Sequence, residues 1–122
     1  MRGAKDYLIA IYALQRSHKV ARVRDIAGYL GLTKAAVTLT VRGLVRKGLV
    51  KHEKYSYVEL TPRGESVAKP LYTSTQKLAA IFRELGMSPV NAKNVADCVV
   101  VGASDSALSQ FLITLEALKK GV

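Results

Sequence analysis

Between residues 23 and 47 two amphipathic stretches are separated by only three residues, Gly31-Leu32-Thr33. Nothing else in the chain constrains its fold as much. Ile26, Ala27 and Leu30 recur on one side of the first stretch, and Val37, Val41 and Leu44 on one side of the second. That is the period of helices burying one face. Gly31 suits the left-handed residue that ends a helix. Thr33 suits the N-cap of the next. Ala27 is small where the two helices must cross closely, while Leu30, Val37, Val41 and Leu44 share a core. The spacing predicts a helix-turn-helix, with helices over 23–30 and 34–47 and Gly48 closing the second.

The flanks extend this unit. Residues 4–17 carry Tyr7, Leu8, Ile11, Tyr12 and Leu14 on one stripe and read as a helix. After Gly48 the period changes to two. Residues 49–53 and 56–60, joined by Lys54-Tyr55, read as a short β-hairpin. Thr61-Pro62 starts a long helix over 62–85, ended by Gly86. Ser88-Pro89 starts another to about 101, and Ser104-Asp105 a last one to about 119. The expected fold is mainly α with a small β-hairpin: a winged helix-turn-helix over 1–63, then a helical dimerisation domain over 64–122.

Charge follows the same division. Residues 1–63 hold 13 basic and 4 acidic side chains, a net of +9, and residues 64–122 hold 6 and 5. So lopsided a field suits a polyanion, nucleic acid above all, although solubility alone is the plainer reading. A membrane surface is disfavoured, because no segment joins a basic face to a wide exposed apolar one. No apolar run is long enough to span a bilayer. The start, Met1-Arg2-Gly3-Ala4-Lys5-Asp6, has no apolar core behind its charges, so no signal peptide is expected. The single cysteine, Cys98, fits a reducing, cytoplasmic setting.

A helix-turn-helix sets its second helix in the DNA major groove, and the hairpin after it makes a wing along the backbone or minor groove. With Val37 at the centre of the buried face, Ala35, Leu39, Arg42 and Arg46 fall opposite and Thr38 to the side. Ala35 and Leu39 are placed for thymine methyls. Arg42 and Arg46 are placed for phosphates or a guanine edge, and Lys34 for either. In the wing, Lys51, Lys54 and Tyr55 are phosphate candidates. The plainer alternatives are a solvated basic face, an ordinary exposed leucine, and a tyrosine packed on its own hairpin.

The second half reads as a self-association module. Leu108, Phe111, Leu112, Leu115 and Leu118 form a helical stripe, and residues 95–103 are almost wholly apolar. A chain this small has little interior for both. A homodimer would bury them and present two recognition helices to a palindromic site. A purely intramolecular core is the alternative.

These motifs resemble the diphtheria-toxin-repressor family of metal-responsive repressors, in its short manganese-regulator branch. The likeness runs from residue 5 to about 118. It rests on Asp6-Tyr7-Leu8-Ile9-Ala10-Ile11-Tyr12, Val23-Arg24-Asp25-Ile26-Ala27, Thr33-Lys34-Ala35-Ala36-Val37-Thr38, Leu49-Val50 and Leu60-Thr61-Pro62-Arg63-Gly64. The resemblance implies that Thr33, Ala35, Thr38 and Leu39 face DNA. Position 39 departs from the family's polar residue, so a different sequence preference is expected. The resemblance also implies Mn(II) or Fe(II), with ligands at positions matching Asp6, Ile9, Thr75 or Gln76, Asp97, Val100 and Val101, or a thiolate at Cys98. Most of these residues cannot ligate, and the only histidines, His18 and His52, lie in the first half. Asp6, Asp97 and Cys98 are the remaining weak candidates, and no cofactor is assigned.

The expected function is therefore a homodimeric, sequence-specific transcription regulator, a repressor acting on palindromic duplex DNA, with doubtful metal dependence. Two alternatives stay open: a non-specific architectural or assembly protein, and a redox or small-molecule sensor using Cys98. An enzyme is not expected. The chain has no nucleophile–base set, phosphate loop or supported carboxylate pair.

Overall fold

A computed structural model describes residues 3–18 and 20–121, with His18 by its backbone alone. Met1 and Arg2, which the leader argument used, and the side chain of His18 lie outside the described residues. The elements run α1 (Ala4–His18), α2 (Val23–Leu30), α3 (Lys34–Arg46), β1 (Val50–His52), β2 (Val58–Leu60), α4 (Pro62–Glu84), α5 (Pro89–Gly102) and α6 (Asp105–Lys120). Two compact units divide the chain, Met1–Tyr72 and Thr73–Val122. The division falls inside α4, so the start of that helix belongs with the hairpin unit. Among the described residues no helix is long and apolar enough to cross a membrane.

In the first unit α1 is the central element. Tyr7, Leu8, Ile9, Ala10, Ile11 and Tyr12 are all buried, consecutive residues covering every side of the helix. The stripe expected there omitted Ile9 and Ala10. Tyr7, Ile11 and Leu14 share one cluster with Ile26, Leu30, Val37, Val41, Leu44, Val50 and Val58. Each fully buried aliphatic side chain of this kind contributes about 1.5–3 kcal/mol. Leu8 and Tyr12 turn to a second cluster with Ala68, against which Tyr72 packs. The rings of Tyr12 and Tyr72 lie 5.1 Å apart, with the Arg16 guanidinium 5.8 Å from each.

Local chemistry ends the helices where expected. The Thr33 hydroxyl accepts the Ala36 N–H at 3.1 Å. At the other end of α3, Gly48 is left-handed, with φ 75°. The Gly48 N–H reaches the Val45 carbonyl and the Leu49 N–H reaches Leu44, closing the helix with the two crossed bonds of a glycine C-terminus.

The hairpin differs from its expectation. Its strands are three residues each, with Val50 opposite Leu60, Lys51 opposite Glu59 and His52 opposite Val58. The connection is the five residues Glu53–Tyr57 rather than Lys54-Tyr55 alone. A two-residue hairpin loop favours left-handed residues that glycine or asparagine supply. Here only Tyr55 is left-handed, at φ 63°, within a turn that the Ser56 N–H closes onto the Glu53 carbonyl. The free side of β2 is also occupied. The Val58 N–H donates to Ala21 at 2.7 Å, and the Leu60 N–H donates to the Gln15 side chain at 3.2 Å. Ala21 thus adds a one-residue bridge to the sheet.

Thr61-Pro62-Arg63-Gly64 clasps the α3–β1 corner. The Thr61 hydroxyl donates to the Gly48 carbonyl at 2.7 Å, and Arg63 donates to that of Lys47 at 3.0 Å. The Gly64 N–H returns to the Thr61 oxygen. A Cβ on Gly64 would meet the Leu49 carbonyl oxygen at 1.9 Å. Backbone approach, not a turn, therefore demands glycine here.

The second unit joins the end of α4 to α5 and α6. The Ser88 and Ser104 hydroxyls cap α5 and α6 by accepting the N–H groups of Asn91 and Ala107. Leu78, Ile81, Ala92, Ala96, Val100 and Leu108 are buried. Lys77–Glu116 at 2.9 Å and Glu84–Lys119 at 2.8 Å link α4 to α6. The Lys77 hydrogen bond and charge hold the Glu116 carboxyl below the usual carboxylate range.

Candidate nucleic-acid interface

Helix α3 is anchored by Val37, Val41 and Leu44, none more than 2% exposed. Such anchoring fixes which side chains face outward. Lys34, Ala35, Leu39, Arg42 and Arg46 are all exposed, and Leu39 is 68% exposed. Ala35, Leu39, Arg42 and Arg46 occupy the outer surface that the helical period assigned to them, with Lys34 exposed in the first turn. Thr38 is half-buried at its edge, and its hydroxyl donates to the Lys34 carbonyl at 2.9 Å. Thr33 is exposed, but its oxygen is engaged as the N-cap. Both threonine hydroxyls are therefore engaged at the start of α3.

On the wing, Lys51 and Lys54 are exposed. Lys51 sits directly across from Glu59, an opposite-charge pair that moderates its field. The Lys54 ammonium lies 5.1 Å from the centre of the Tyr55 ring, and Tyr55 is 92% exposed. Tyr55 does not pack on its own hairpin. Arg22, Arg24 and His52 escaped the sequence reading. They line a cleft with Lys34, Tyr55 and Ser56 at the base of the wing. Strand alternation was the available signal for His52, since it shares the inward face of β1 with Val50.

In the second unit, Phe111, Leu112 and Leu115 are half-buried and Leu118 is 63% exposed. Leu108, expected in a seam with another copy, is instead only 8% exposed within its own unit. That burial leaves little of it for a partner.

The ligand positions implied by the resemblance do not fit a Mn(II) or Fe(II) site. Ile9 and Val100 are buried and apolar, Val101 is apolar, and Thr75 is a buried hydroxyl. One Asp6 carboxylate oxygen accepts the Gly3 N–H at 3.0 Å. Asp97 is ion-paired with Lys93 at 2.8 Å, one turn earlier on α5. Cys98 is exposed beside Asn94, its sulfur 3.8 Å from the amide oxygen. Among the described residues no three His, Cys, Asp or Glu side chains gather. Such ions need several oxygen or imidazole donors converging on one point.

Comparison with known proteins agrees with this geometry. Residues 1–58 match the family described as iron dependent repressor, N-terminal DNA binding domain. The HTH-type transcriptional regulator MntR of Lysinibacillus sphaericus is 35% identical over 83 residues, 68% of this chain and 60% of that protein. MntR of Geobacillus kaustophilus is 33% identical over 87 residues, 71% of this chain and 62% of that one. The chain thus spans about three fifths of these relatives. A manganese-dependent transcriptional repressor solved with manganese superposes at a TM-score of 0.78, with 24% identity, over 93% of this chain and 53% of that one. T. acidophilum IdeR superposes at 0.76, with 21% identity, over 100% and 55%. The structural likenesses establish the shared winged-helix fold. The matched sequence shows that the chain belongs to the diphtheria-toxin-repressor and manganese-regulator family of iron-dependent repressors.

Proposed function

We propose that this chain is a homodimeric, sequence-specific DNA-binding transcription regulator, a repressor that works without Mn(II) or Fe(II). The observation that carries the reading is the outer surface of α3. Ala35 and Leu39 are exposed near its start, and Arg42 and Arg46 along its length, on a helix whose opposite side is fully anchored. Apolar groups at the N-terminal end suit base edges, and guanidinium groups farther along suit phosphates. Thr33, Lys34 and Thr38 frame that surface, and Lys51 and Lys54 extend it along the backbone. Residues 1–63 would thus grip DNA and residues 64–122 pair two copies, through Phe111, Leu112 and Leu115 with Leu118 at the margin. The partner is a palindromic duplex, and repression follows from occupying it, with no chemistry on DNA. The apolar side chains of Ile9, Val100 and Val101, at positions where the resemblance implies ligands, favour binding that needs no metal.

The test is selection from random duplexes by metal-stripped protein, with chelator and with Mn(II). A palindrome enriched equally in both conditions is expected. Enrichment only with Mn(II) would overturn the metal-independent part. No enrichment in either would leave a non-specific architectural protein.

A further inference from the structure

Between the wing and the starts of α2 and α3 lies an open cleft of about 290 Å³. Arg22, Arg24, Lys34 and His52 line it, with Tyr55 and Ser56 at the wing side, and its lining includes no carboxylate. The four basic side chains come from three separate parts of the chain. Arg22 and Arg24 stand at the N-terminus of α2, Lys34 opens α3, and His52 ends β1. Two helix N-termini therefore meet at one place, each a positive dipole end.

The surrounding contacts hold this arrangement. His52 lies opposite Val58 on the inward face of the hairpin and is half-buried, so its ring is directed by strand register. The Arg22 guanidinium lies 5.0 Å from the centre of the Tyr57 ring. Asp25 follows Arg24 in the first turn of α2. Its carboxylate accepts the Arg22 N–H at 3.1 Å and comes within 3.8 Å of Arg24 Nε, while the Arg24 side chain stays 67% exposed. Asp25 thus holds the Arg22 backbone and one edge of the Arg24 guanidinium. Tyr55, left-handed within the hairpin turn, stands at the mouth. Beyond the Arg24–Asp25 contact no carboxylate lines the cleft, so an arriving anion would meet basic groups that lack an opposite charge there.

We infer that this cleft clamps one backbone phosphodiester of the duplex whose groove α3 enters. Arg24, Lys34 and His52 donate to its oxygens, and Arg22 adds charge from behind. Lys34 immediately precedes Ala35, so the clamp adjoins the base-reading surface and sets its register on the DNA. The inference rests on the reading of α3 as a DNA-reading helix, but its test works on any duplex.

Fluorescence anisotropy against salt, for a selected and a random duplex, provides that test. Arg24→Ala with His52→Ala should weaken both duplexes by about tenfold or more, as expected for charge-assisted hydrogen bonds. The salt slope should fall by about 0.9, one phosphate contact. The ratio of selected to random affinity should not move. His52→Gln, which keeps a donor, should recover part of the loss, and thermal melting shows whether each variant is folded. Duplexes with single neutral methylphosphonate linkages should contain one position per half-site that weakens the parent protein and leaves the double variant unaffected. An unchanged slope, or equal losses for both proteins at every linkage, would overturn the clamp. His52 ring resonances should shift with duplex at concentrations where inorganic phosphate does nothing. An equal response to inorganic phosphate would assign a free-anion site and overturn the clamp as well. A parent protein that enriches no sequence, yet shows the slope change, would sink the regulator reading and leave the clamp standing.

Discussion

Helix α1 and helix α6 are nearly equal in length and comparably rich in apolar residues, yet the protein uses them in opposite ways. In α1 six consecutive residues, Tyr7 to Tyr12, are buried. In α6 only Leu108 is, while Phe111, Leu112 and Leu115 stay half-buried and Ile113 and Leu118 are more than 60% exposed. The difference follows the charge. The unit around α1 closes its own core and shows the solvent a basic surface, which suits a polyanion. The unit containing α6 is nearly neutral and shows the solvent apolar side chains, which suit another protein surface. One half of the chain buries its apolar helix in its own core, and the other leaves much of its apolar helix exposed.

The largest effect should come from breaking the self-sufficiency of the first unit. Gly64→Ala forces a Cβ against the Leu49 carbonyl and should cost about 3 kcal/mol or more in urea unfolding. Gly28→Ala, where nothing lies within 4 Å, should be neutral or gain up to about 1 kcal/mol. Equal effects would mean that the clasp is not what holds the corner.

Next comes the surface that the first unit presents. Arg42→Ala with Arg46→Ala should weaken duplex binding roughly a hundredfold and lower the salt slope by about 1.8, at 0.9 per lost phosphate contact. The melting temperature should hold. Unchanged affinity would show that α3 does not dock by this face.

The second unit is tested by Leu112→Glu. A charge placed in an apolar seam should weaken self-association roughly tenfold, or about 1.4 kcal/mol, in sedimentation equilibrium. An undisturbed dimer would place the seam elsewhere.

The smallest effect is the acid response of α6. The Glu116 carboxyl is held below its ordinary range by Lys77, so the pair contributes stability above that range and loses it as pH falls through the lowered value. Both side chains are substantially exposed, so solvent screening keeps the contribution small. Lys77→Met should flatten the decline of melting temperature between neutral and strongly acidic pH. An identical decline would mean that other carboxylates set the acid response.

Much of this molecule could be read from its residues in order. Helix starts and stops depend on a few adjacent groups, such as the Thr33, Ser88 and Ser104 hydroxyls and the glycine at 48. The outward face of α3 follows from helical period once Val37, Val41 and Leu44 are known to be inside. These are short-range relations, and the chain carries them in its local pattern.

What escaped that reading depends on residues far apart in the chain. The hairpin loop lengthened because its tip lacks glycine, and Ala21 and Gln15 became partners of β2 across 37 and 45 residues. Gly64 looks like any helical glycine until the Leu49 carbonyl is beside it. His52, Arg22 and Arg24 looked like scattered charges until the hairpin register, for His52, and the start of α2, for the arginines, brought them to one cleft with Lys34. Leu108 and Leu115 share one stripe in the pattern, yet only Leu108 found a place in the core. Periodicity states which face of an element is apolar, and only packing in three dimensions determines what that face meets.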